Sequence, residues 1–61
     1  MKLIIEKAVY NFVEAIDDFK VWESQRYPGE VFLVTAPGAK DHVSGSLEGA
    51  RYHIRLSNLK K

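Results

Sequence analysis

Apolar positions in the first half of the chain recur at close to helical spacing. With Ile5 at zero and 100° per residue, Ile5, Ala8, Val9, Phe12, Ala15, Ile16, Phe19 and Trp22 fall within roughly 140° of one another. Glu6, Lys7, Glu14, Asp17, Asp18, Lys20 and Gln25 lie largely off that stripe. The pattern predicts one long amphipathic helix over residues 4–26, about 34 Å in length. Tyr27-Pro28-Gly29 supplies the stop, since Pro28 pushes Tyr27 out of helical geometry and Gly29 suits a turn. Asn11 with Glu14 three residues later also reads as a capping box. On that second reading residues 2–9 form a strand and the helix begins near Phe12. The stripe runs back unbroken to Ile5, which favours the long helix.

Two strands are expected after it. Glu30 to Ala36 is rich in β-branched and aromatic residues and bounded by Pro-Gly pairs. Its two faces, Val31 with Leu33 and Phe32 with Val34, are both apolar, so cover is needed on both sides. Ala50 to Ser57 alternates Ala50, Tyr52, Ile54 and Leu56 with Arg51, His53, Arg55 and Ser57, the pattern of a strand with one dry face. Between them, residues 37–49 are rich in glycine, serine and charge. They read equally as one long loop or as a weak strand over 41–47 with Glu48-Gly49 as a hairpin turn. The predicted fold is a single α+β domain over residues 1–61: one long N-terminal amphipathic helix, on one reading preceded by a short strand, packed on a small antiparallel sheet of two or three strands. The helix would overhang a hairpin roughly 25 Å long. Overhang and bare strand face together predict that a second copy or another protein completes the core.

Composition sharpens this only in part. The chain has 61 residues, is 46% hydrophobic and carries no cysteine. Disulfides and a classical zinc cluster are therefore excluded, and stability has to come from packing or association. The absence of cysteine fits a reducing cytoplasm, where the protein is expected. A formal net charge of +1 is too even to argue for nucleic acid or an anionic membrane. Arg51, Arg55, Lys60 and Lys61 nevertheless crowd the last residues. The longest early apolar run is Leu3-Ile4-Ile5, neither a signal peptide nor a membrane span.

No stretch carries a catalytic signature. Ser44, Ser46 and Ser57 lack a nucleophile elbow. Asp17 and Asp18 diverge on a helix. Gly45 and Gly49 lack the lysine of a phosphate loop. His42 and His53, even with Asp41 and Glu48, match no compact ligand spacing. Neither a metal nor a cofactor is expected, and no enzyme.

Asp41-His42, Gly45-Ser46-Leu47 and Glu48-Gly49-Ala50 through Ile54-Arg55-Leu56 resemble a fragment of the small phage-type zinc D-alanyl-D-alanine peptidases. That resemblance would carry over only His42 as a metal ligand. The second ligand histidine is missing after Leu47, and Tyr52 and His53 precede Ile54 where the family has an aspartate. It implies a ligand-less relative.

Three surfaces remain as binding candidates. Arg51, His53 and Arg55 at period two would form a basic ridge about 13 Å long, able to meet phosphates or an acidic protein. Phe32 and Val34, or else Val31 and Leu33, stand for the uncovered strand face. Tyr10, with Leu3 and Val21, forms a second apolar line opposite the helical stripe, while Phe19 and Trp22 read as core. The function expected from these residues is protein binding without catalysis, as an accessory or inhibitor protein of phage or mobile-element type that homodimerises or docks on a larger protein. Nucleic-acid backbone binding through the basic ridge is the alternative.

Overall fold

The computed structural model describes residues 1–59. Lys60 and Lys61, counted above in the basic C-terminal cluster, lie outside them. Five strands, β1 (Lys2–Ile5), β2 (Ala8–Ile16), β3 (Phe19–Ser24), β4 (Phe32–Thr35) and β5 (His42–Ser44), form one antiparallel sheet in sequence order, followed by a helix, α1 (Leu47–Leu59).

The long N-terminal helix is therefore not formed; residues 4–26 make a three-strand meander. Its cause is local. Glu6 and Lys7 both take positive φ (48° and 72°), the signature of a two-residue type I′ hairpin. Asp17, at φ 54°, opens the second hairpin. A two-residue loop sets its flanking residues three apart and on one face, as Ile5 opposite Ala8 and Ile16 opposite Phe19. A bulge adds a further shift: Phe12 pairs with Trp22 and Glu14 with Val21, leaving Val13 as the extra residue. Hairpins and bulge together counterfeit a helical repeat. The supposed stripe divides between two sheet faces, with Val9, Ile16 and Phe19 on one and Ile5, Ala8, Phe12, Ala15 and Trp22 on the other. Asn11 and Glu14, the supposed capping box, both lie inside β2. A strand does occupy residues 2–5, but a second strand follows it.

Tyr27-Pro28-Gly29 is a turn, placed between two strands. The amides of Glu30 and Val31 both donate to the Tyr27 carbonyl (3.1 and 3.2 Å), and Gly29 has φ 77°. β4 forms where expected. The weak stretch at 41–47 contributes the short strand β5.

Ala50 to Ser57 is helix rather than strand. Ser46 caps it, accepting from the Gly49 amide at 3.0 Å, and the Ala50 amide donates to the Ser46 carbonyl. Leu47, Ala50 and Ile54 are spaced three and four apart and lie on the face toward the sheet. Tyr52 and Leu56, inward on the strand reading, are exposed. Glu48 and Gly49 are helical, not a hairpin turn.

The core lies between α1 and one face of the sheet. Phe19 and Val21 from β3 and Phe32 and Val34 from β4 pack with Ala50 and Ile54, flanked by Val13, Ile16, Ala36 and Leu47. Two polar ties fix the helix across the sheet. Arg51 donates through two nitrogens to Glu14 (2.7 and 3.2 Å), and the Asn58 amide donates to Asp17 in the β2–β3 turn (3.0 Å).

Candidate protein-binding surface

The helix covers one sheet face, and register identifies what lies on the other. Phe12 pairs with Trp22, Trp22 with Leu33, and Leu33 with Val43. Lys2 pairs with Asn11, and the Phe12 amide donates to the Met1 carbonyl at 3.1 Å. Met1, Phe12, Trp22, Leu33 and Val43 thus form one apolar row across all five strands, about 20 Å long at the usual strand spacing. Next to it run Leu3, Tyr10 and Ser24, paired in the same way.

The middle of the row is shielded and its ends are open. Trp22 and Leu33 are 5% and 3% exposed, while Met1, Phe12 and Val43 are 73%, 37% and 61% exposed. Phe12 meets Trp22 edge to face, with ring centroids 5.6 Å apart. The indole N–H donates to the Thr35 hydroxyl at 3.0 Å. The Ser24 hydroxyl accepts from the Tyr27 amide at 3.0 Å. These groups can lose contact with water without losing a hydrogen bond. Lys20, at the hairpin end of β3, is the charged residue that the pairing of Ala15, Lys20 and Thr35 puts on this face.

The residues singled out from sequence are dispersed. Phe32 and Val34 are buried beneath α1, so they present no free surface: the helix occupies the space a partner was expected to fill. Tyr10 is half-buried on the outer face and lines a shallow groove of about 530 Å³ with Lys7, Ser24, Arg26 and Tyr27. Val21, its supposed companion, is fully buried in the core. Arg51, His53 and Arg55 form no period-two ridge, because on a helix alternate residues diverge by about 200°. Arg51 is committed to Glu14. The hydrogen bond from Arg51 holds the Glu14 carboxyl below its usual range; burial opposes it, and the charge of Arg51 adds to the lowering. The same contact raises Arg51. Arg55 is exposed, and His53 turns toward β5 and stacks on His42, with centroids 3.7 Å apart and rings within 3° of parallel.

That stack places the one ligand candidate of the peptidase-like segment, His42, against another imidazole. Parallel rings aim their in-plane lone pairs side by side and not at a common point. Among the described residues no group of three or more histidine, cysteine, aspartate or glutamate side chains is placed to hold a metal ion. No described helix is long and apolar enough to cross a membrane.

Sequence reasoning missed Met1, Phe12 and Val43. Their signal is pairing across hairpins, legible only once the two-residue turns are recognised. The chain matches no family model, no curated protein and no solved structure.

Proposed function

We propose that this chain is a small, non-enzymatic protein-binding module of accessory or inhibitor type, and that it docks through the outer face of its sheet. One observation carries the reading: an apolar row spans five strands on the face opposite the helix, and its two ends stand open to water. Exposed apolar residues scattered singly are ordinary; Met1, Phe12 and Val43 share one face on either side of a shielded centre, and apolar residues grouped on one face mark a contact site. Phe12, partly exposed and braced edge to face on the buried Trp22, supplies the rigid aromatic anchor type that dominates binding energy at protein interfaces.

The test compares the wild-type chain with Val43→Lys, which sets a charge at an exposed position in the row. Binding to any protein target should weaken at least about tenfold, the loss expected when an unpaired charge enters an interface core. A target bound equally well by both chains would place the contact elsewhere.

A further inference from the structure

We infer that β1 pairs edge to edge with β1 of a second copy of this chain, the two strands running antiparallel across a two-fold axis at Ile4. The site is separate from the outer sheet face and does not rest on the reading above.

Register and turn type decide which backbone groups β1 leaves open. A two-residue hairpin closes on a hydrogen-bonded pair, here Ile5 with Ala8. In an antiparallel ladder such pairs alternate with pairs that exchange no bond. Leu3 with Tyr10 is the next bonded pair, and the Phe12 amide, donating to the Met1 carbonyl, continues the series. Lys2 and Ile4 fall between them, so their N–H and C=O groups point away from β2. β1 is the end strand of the sheet, and among the described residues no strand lies beyond it. The other end strand, β5, is only three residues long and leads directly into the turn before α1. An open edge with three consecutive apolar residues is a template for a further strand.

Side chains select which strand fits. Ile4 is 68% exposed although it pairs with Val9, because the helix packs over β3 and β4. Lys2-Leu3-Ile4-Ile5-Glu6, read against its own reverse, sets Lys2 opposite Glu6, Leu3 opposite Ile5 and Ile4 opposite itself. Ile4 and the partner's Ile4 then form a bonded pair, each amide donating to the other carbonyl. Val9, Ile4, the partner's Ile4 and the partner's Val9 make one apolar row across the junction, of the cross-strand kind that stabilises sheets. A Lys–Glu pair flanks the row at each end. Glu6, in the turn at φ 48°, contributes through its side chain alone. Registers shifted by two residues set Lys2 against Ile4, or Ile4 against Glu6. A shift by one sets open backbone groups against closed ones. The register centred on Ile4 matches opposite charges and apolar with apolar, and that self-complementarity selects a second copy as the occupant.

A contact this short lies at the small end of specific interfaces, so the pairing is reversible. Sedimentation equilibrium from about 10 µM to 2 mM, where weak association is populated, should show the mass rising from one chain to two. Over the same range the Ile4 amide should become protected from hydrogen exchange. Ile4→Pro removes an N–H that the β1–β2 ladder does not use, and should abolish association while circular dichroism stays native. Lys2→Glu and Glu6→Lys should each weaken association at least about fivefold, and the double reversal should restore it to within about twofold of wild type. Val43→Lys, on the outer face, should leave it unchanged. A single-chain mass throughout, association that survives Ile4→Pro, or a double reversal no better than the single variants overturns the inference. Association lost in Val43→Lys would place the second copy on the outer face and overturn it too. Loss of target binding in Val43→Lys bears on the docking face alone.

Discussion

Two side-chain positions show how local geometry and composition disagree in this chain. Lys7 sits at φ 72° in the first hairpin, where a Cβ is strained and glycine is not. Lys7→Gly should raise stability by about 0.5–1 kcal/mol, seen as a higher melting temperature. Gly49 is the opposite case. It lies within α1, where alanine normally gains about 1 kcal/mol over glycine. A Cβ there would collide with the Ser44 hydroxyl, which donates to the Ser46 carbonyl at 3.1 Å. Gly49→Ala should therefore gain nothing or lose stability. Combined with Ser44→Ala, which removes the obstructing oxygen, the helical gain should return. A double-mutant cycle by chemical denaturation measures this, and simple additivity would contradict it.

The helix is seated on the sheet by few buried side chains, so single changes there should reach far. Ile54 is 1% exposed and is the main apolar side chain by which α1 meets β3 and β4. Ile54→Ala should cost about 2–5 kcal/mol, enough to unfold a domain this small. Ser46→Ala removes the cap of the same helix and should cost about 1 kcal/mol. Both are measured as shifts in urea midpoint. The elements also show what the sequence could disclose. β4 was legible, because Phe32-Leu33-Val34 is a dense β-branched and aromatic run. The turn at Tyr27-Pro28-Gly29 was legible because proline and glycine restrict the backbone directly. β1 was visible only in the alternative of a strand over residues 2–9, and β2 and β3 were hidden, since Glu6-Lys7 and Asp17-Asp18 contain no glycine or asparagine to announce a hairpin. The helix was hidden for the converse reason: Ala50 and Ile54 satisfy a period of two and a spacing of four alike. Of the site residues, only Tyr10 reaches the outer face, and not for the reason expected: the helix line it was placed on does not form, and strand pairing with Leu3 and Ser24 sets it there.

At the scale of the whole molecule, the Arg51–Glu14 contact joins α1 to β2 and links its seating to pH. The Glu14 carboxyl is held below its usual range in the folded state. Its contribution is therefore present above the unfolded value, about 4.3, and disappears as pH falls through the lower folded value. Glu14→Gln should lower the urea midpoint slightly at pH 6, and the difference from wild type should shrink as acid protonates the carboxyl. Added salt should narrow the pH 6 difference, because the pair is partly solvated. A gap that persists at low pH would show that Glu14 acts through packing instead.

The order β1 to β5 and then α1 also bears on how the chain is made. Every strand pairs with its neighbour in sequence, so the sheet can close stepwise as residues emerge during synthesis. The helix that seals it is translated afterwards. Until residues 47–59 have cleared the ribosome, Phe19, Val21, Phe32 and Val34 stand bare on the face the helix will cover. A ribosome stalled before Leu47 would hold a chain that chaperones engage, and one released after Leu59 a chain they ignore.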